Sequence, residues 1–166
     1  MAELVLITGG NLGDVETTLK KCNSLIESRI GDVIVSSELK ATPAWGFESE
    51  DEFLNQVLVI NTLHSPESVL EILQAIEREL GRDKNTTQVS ELGVKRNYLS
   101  RVIDIDILFY DELILDTPTL KIPHVMMQER DFVLNPLSEV CADKVHPVYK
   151  KTISELRDEL LKRNLD

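Results

Sequence analysis

The chain has 166 residues, 42% of them apolar, which suits one ordinary domain and is short for two. A formal net charge of −11 disfavours a general nucleic-acid or anionic-membrane binder, and no apolar run approaches the length of a membrane span. No basic stretch precedes an apolar run at the N-terminus, so no secretory signal is read there. Cys22 and Cys141 lack CxxC spacing, and the expectation is a cytoplasmic protein without a disulfide or zinc site.

In chain order, Leu4-Val5-Leu6-Ile7-Thr8 predicts a buried strand, ended as a turn by Gly9-Gly10-Asn11. Gly9 to Gly13 lacks the lysine and spacing of a P-loop and also fails the dinucleotide fingerprint. The phosphates of any nucleotide would therefore have to be held by metal and basic side chains. Asp14 can cap a helix whose stripe is Val15, Leu19, Cys22 and Ile26, and Gly31-Asp32 breaks the chain after it. Val33 to Ala41 reads as one strand, interrupted by Thr42-Pro43-Ala44-Trp45-Gly46. Phe53 to Leu63 reads as a second long strand with Phe53, Asn55, Val57 and Val59 on one face. Ser65-Pro66 starts a helix that buries Val69, Ile72, Leu73, Ile76 and Leu80 and is closed by Gly81, with Gln74 and Glu77 on its polar side.

Residues 82–101 form a basic island: Arg82, Lys84, Lys95, Arg96 and Arg101 against Asp83 and Glu91, a balance of +3. Such a run is either a solvated loop or a seat for a polyphosphate. It leads into Arg101-Val102-Ile103-Asp104-Ile105-Asp106-Ile107-Leu108-Phe109-Tyr110, whose composition predicts a strand. Alternation puts Ile103, Ile105, Ile107 and Phe109 on one face and Asp104 and Asp106 on the other. Two carboxylates side by side either share a cation such as Mg²⁺ or face water, and the segment alone weighs these equally. A short strand near Leu113-Leu115 returns beside it, and the last helix opens with a Thr152/Glu155 capping box.

The order β-α-β-β-α-β is the split βαβ pattern of an α+β, ferredoxin-like sandwich, here with additional C-terminal helices in a single domain over residues 1–166. Since that fold hosts many activities, function has to be read from side chains. Asn55 among apolar neighbours could serve a heterocycle edge or cap its own loop. Arg130 could grip phosphate or form a surface ion pair, and Phe132 could stack on a planar ligand or fill the core. Gln74 and Glu77, taken alone, read as plain helix surface.

Together these segments resemble the 6-hydroxymethyl-7,8-dihydropterin pyrophosphokinases of the folate pathway. The resemblance runs, in order, through Gly9-Gly10-Asn11-Leu12-Gly13-Asp14, Thr42-Pro43-Ala44-Trp45-Gly46, Phe53-Leu54-Asn55, Gln74-Ala75-Ile76-Glu77, Arg101 to Leu108, Ile122-Pro123-His124 and Arg130-Asp131-Phe132. It implies transfer of pyrophosphate from ATP to the pterin hydroxymethyl group, with release of AMP. It also implies that Asp104 and Asp106 hold two Mg²⁺ ions and that Arg82 and Arg101 neutralise charge on the phosphates. Thr42, Pro43, Phe53, Asn55, Tyr98 and Phe132 fall to the pterin side, and Gln74, Glu77, His124 and Arg130 to the ATP side. Tyr98 stands where the family usually has Trp, Ala44 replaces a common Pro, and Lys121 occupies a place where a small polar residue is frequent. The partners implied are ATP and 6-hydroxymethyl-7,8-dihydropterin, with no nucleic acid or membrane, and a monomer is expected. Palm-type nucleotidyl transferases also use two aspartates on such a sheet but release pyrophosphate, and a non-catalytic pterin or nucleotide sensor is a third reading.

Overall fold

A strand that is apolar at every position must be covered on both faces. In the computed structural model, which describes residues 1–11, 13–43, 52–81 and 103–165, β1 (Ala2–Gly10) is covered in this way from Leu4 onward, where every residue is buried. It lies inside a sheet of order β2-β4-β1-β5, where β2 is Gly31–Ser36, β4 is Glu52–Thr62 and β5 is Asp104–Tyr110. All pairings are antiparallel, and β3 (Lys40–Pro43) continues the β2 edge along the other half of β4. The single strand expected over Val33 to Ala41 is thus two. Between them Ser37 exchanges bonds with Val57: its N–H donates to the Val57 carbonyl, and its Oγ accepts the Val57 N–H, each at 2.9 Å. A residue that spends its hydroxyl on the neighbouring strand kinks the edge without leaving it.

Helix α1 (Val15–Arg29) starts at Asp14, whose carboxylate accepts the Thr17 N–H at 3.2 Å, as its capping position demands. Helix α2 (Pro66–Glu79) starts at Ser65 and ends before Gly81, which turns the chain at φ 103°. Both helices cover one face of the sheet. There Leu4, Leu6, Leu58, Ile60, Ile103, Ile105 and Ile107 meet Leu19, Cys22, Ile26, Val69, Leu73 and Ile76. Burial, and secondarily the Glu77 carboxylate, push the Cys22 thiol up to about 12, so it serves as a small apolar filler.

The opposite face is covered by α3 (Asp131–Cys141) and α4 (Ile153–Leu165), which bury Val133, Leu134, Leu137, Leu156 and Leu160 against Val5, Ile7, Val57 and Val59. The reciprocal bonds of the Thr152/Glu155 capping box form as the spacing predicts, at 3.0 and 3.1 Å. Two expectations need correction. Phe109 does not share a face with Ile103, Ile105 and Ile107 but packs under α3 and α4. The register of β5 against β1 slips between Val5, opposite Phe109, and Leu6, opposite Ile107. Leu108 is therefore a bulge residue, and everything beyond it changes face. The short strand after β5 pairs elsewhere: β6 (Leu115–Asp116) makes a two-stranded ribbon with β7 (Lys121–Ile122).

Candidate active site

Towards the Gly9 end of β1 the α3/α4 layer stops short of the strands, leaving a cleft of about 1160 Å³. Its volume is somewhat above the roughly 300–1,000 Å³ of most small-ligand sites. Thr42, Phe53, Asn55, Gln74, Glu77, Asp104, Asp106, His124, Arg130 and Phe132 all line it. These residues come from five separate elements and the segments between them. Arg82, Tyr98 and Arg101 lie outside the described residues, as does the side chain of Pro43, whose backbone belongs to β3.

The sheet register sets the geometry. Asn55 of β4 is opposite Gly9 of β1, and Gly9 is opposite Asp104 of β5, so these three form one row across the sheet. Thr42 of β3 is opposite Phe53 in the row two residues along β4. Asp104 and Asp106, two apart on a strand whose isoleucines face α1 and α2, both project into the cleft. Both are half-buried. A hard cation that takes few protein ligands and fills its shell with water and phosphate oxygens matches this donor pair. Among the described residues there is no cluster of three or more His, Cys, Asp or Glu that would instead make a closed metal cage.

His124 reaches β5 because its N–H donates to the Leu108 carbonyl at 3.1 Å, and its Nε2 lies 3.9 Å from Asp106 Oδ2. Its Nδ1 accepts the Met126 N–H at 3.4 Å. Burial holds the imidazole below its ordinary pKa, Arg130 adds to the effect and Asp104 opposes it. Arg130 precedes α3, and its guanidinium carbon sits 5.7 Å from the centre of the Phe132 ring. Pro136 lacks the N–H that the Phe132 carbonyl would otherwise receive within α3.

Glu77 departs from the surface reading. It is 7% exposed, and its Oε2 accepts the Ile105 N–H at 2.9 Å. Ile105 lies between the two aspartates on β5, which among the described residues is the outer strand of the sheet, with no described strand to take its N–H. Glu77 supplies that missing partner and ties α2 to β5. Gln74, one turn earlier, is exposed at the rim. Sequence reasoning missed Leu160 and Asn164 at the end of α4, which also line the cleft, because nothing local in a C-terminal helix reports what it packs beside. It also took Gly9 and Gly10 for a turn, whereas both belong to β1.

Residues 5–142 match the family described as 7,8-dihydro-6-hydroxymethylpterin-pyrophosphokinase (HPPK). A 2-amino-4-hydroxy-6-hydroxymethyldihydropteridine pyrophosphokinase of Porphyromonas gingivalis is 43% identical over 148 residues, 89% of this chain and 95% of its own length. The enzyme of the same name from Aquifex aeolicus is 33% identical over 159 residues, 96% of this chain and 92% of its own. The fold is similar to that in the crystal structure of Plasmodium falciparum HPPK-DHPS with pteroate, with a TM-score of 0.74 at 19% identity. That alignment covers 98% of this chain and 43% of the Plasmodium chain.

Proposed function

The chain belongs to the 7,8-dihydro-6-hydroxymethylpterin-pyrophosphokinase family, and on that premise we propose how its residues divide the work. The reaction moves the pyrophosphoryl group of ATP to the hydroxymethyl oxygen of the dihydropterin in folate biosynthesis. The attacking hydroxyl and the leaving AMP oxygen must lie in line across the β-phosphorus, so positioning and charge neutralisation carry most of the catalysis. Asp104 and Asp106 would hold two Mg²⁺ ions, which when bound screen the phosphates and make the β-phosphorus more electrophilic.

Asn55 and the backbone near Thr42 and Pro43 read the edge of the pterin, Phe53 and Phe132 pack on its faces, and Tyr98 is assigned to the same pterin side. Gln74, His124 and Arg130 serve the nucleotide side, Arg130 as a fixed cation for phosphate oxygens. With its Nδ1 accepting the Met126 N–H, His124 is set to donate a hydrogen bond from Nε2. Arg82 and Arg101 supply the positive charge that the transferring group needs as its bond to AMP loosens. Glu77 acts on the same side by keeping β5, and with it both aspartates, at fixed depth.

The observation that carries this reading is the shared cleft. The two carboxylates, the Asn55 amide and two aromatic rings from distant parts of the chain line one space. The test is a product assay with ATP, Mg²⁺ and 6-hydroxymethyl-7,8-dihydropterin, with each component omitted in turn. AMP and pyrophosphorylated pterin should appear in equal amounts and only when all three are present. Release of pyrophosphate would move the protein to nucleotidyl transfer, and pterin binding without AMP would make it a sensor.

A further inference from the structure

Gly9 occupies the middle of the row that joins the pterin-reading amide to the first aspartate, with Asn55 on one side and Asp104 on the other. Strands lie about 5 Å apart, so the two side chains stand roughly 10 Å from each other across a residue that has none. The glycine is not there for its backbone freedom: unlike Gly13 and Gly81, it does not have positive φ. It is there for space. A Cβ at Gly9 would lie 2.3 Å from Asn55 Oδ1 and 3.2 Å from Asn55 Cγ, and 2.8 Å from the Leu54 carbonyl oxygen. The Asn55 amide therefore rests over the bare Cα of Gly9, and among the described residues its side chain makes no hydrogen bond. Gly31 forms a useful contrast, because a Cβ there would meet only backbone and the Cα of the adjoining strand. At Gly9 the nearest atom belongs to a residue of the site.

We propose that Gly9 is a positioning residue for substrate recognition: by lacking a Cβ it lets the Asn55 amide lie flat on β1, where it meets the pterin edge, and leaves a bare floor between that amide and Asp104. The inference rests on the assignment of the cleft as the pterin site. Any side chain at position 9 rotates the Asn55 amide off the sheet and raises the floor under the ring. Binding of the pterin then suffers, while the nucleotide side, built from α2, His124 and Arg130, keeps its own geometry.

The experiment compares the wild type with Gly9→Ala, Asn55→Ala and the double variant. Affinities for 6-hydroxymethyl-7,8-dihydropterin and for Mg²⁺ with α,β-methylene-ATP are measured separately, alongside thermal midpoints. Gly9→Ala and Asn55→Ala should each weaken pterin binding by about tenfold or more, the scale of one or two lost hydrogen bonds. The double variant should bind no worse than the weaker single variant, because both changes remove the same amide. Affinity for the ATP analogue should stay within about twofold of wild type, well under one hydrogen bond's worth. Unchanged pterin affinity in Gly9→Ala, equal losses for both ligands, or losses that add fully in the double variant would each overturn the proposal. If Gly9→Ala alone does not fold, recovery of folding in the double variant supports it. Failure of both variants to fold makes the Leu54 carbonyl the controlling contact and overturns it. A wild-type chain that binds no pterin instead overturns the substrate assignment itself, which is a separate result.

Discussion

On the α1/α2 face of the sheet, Leu4, Leu6, Leu58, Ile60, Ile103, Ile105 and Ile107 are buried against helix side chains. On the α3/α4 face the same strands are covered only in part. Val5, Val57, Val59 and Phe109 sit under the helices, but Phe53, Asn55, Gly9, Asp104 and Asp106 open onto the cleft. Period-two alternation lets one strand serve both purposes at once: β5 sends isoleucines one way and aspartates the other. The lesson is that the dry face holds the strands in register so that the wet face can keep carboxylates and an amide where packing alone would not put them.

If the faces divide the work in this way, damage to each should show in a different measurement. Asp104→Ala and Asp106→Ala should lower turnover by at least about a thousandfold, since a metal seat contributes several kcal/mol of transition-state stabilisation. Pterin affinity and the thermal midpoint should remain near wild type, and a variant that keeps its turnover would break the division at its centre.

Leu58→Ala empties a fully buried site on the closed face. It should cost about 2–5 kcal/mol in urea unfolding while the KM values of the folded enzyme hold. A change in KM without a loss of stability would mean that the closed face reaches the site.

The covered end of the α3/α4 face contains a pH-dependent element. His146 is 2% exposed, lies edge-on to Phe109 with ring centres 5.6 Å apart, and stands 4.6 Å from Tyr149. Its Nδ1 accepts the N–H groups of Val148 and Tyr149, and burial pulls its pKa down to about 4 from 6.5. The unfolded chain then binds the proton first, so the contribution is complete above pH 6.5 and is lost as pH falls towards 4. About 3 kcal/mol should disappear across that window. His146→Asn, which keeps an acceptor but does not titrate, should flatten that part of the stability curve. An unchanged slope would remove His146 as its source.

Glu77 joins the two faces, because its carboxylate approaches from α2 and holds the strand that carries both aspartates. Glu77→Ala should cost about 1–3 kcal/mol by stranding the Ile105 N–H, with kcat falling as well. Glu77→Gln, which still offers an oxygen, should recover most of the stability. Equal behaviour of the two variants would show that the Ile105 bond is not what matters.

Helices α1 and α2 were legible to within a residue or two because their signals are local: Asp14 and Ser65 as caps, Gly81 as terminator and apolar residues at helical spacing between them. The alternation that put Asp104 and Asp106 on one face was equally local. The same rule failed at Phe109, because the bulge at Leu108 arises from pairing with β1, more than a hundred residues away in the chain. The polarity of Glu77 suggested surface, yet its carboxylate is drawn inward by the Ile105 N–H of β5.

What the amino-acid sequence determined by itself was the element order, the capped helices, the paired carboxylates and the family resemblance, each written in neighbouring residues or short motifs. Tertiary structure alone decided which side chains share a space. The row from Asn55 through Gly9 to Asp104, the arrival of α4 at the cleft and the burial of Glu77 depend on register between distant strands. Register is fixed by burying one face of the sheet, and that requires the whole chain at once.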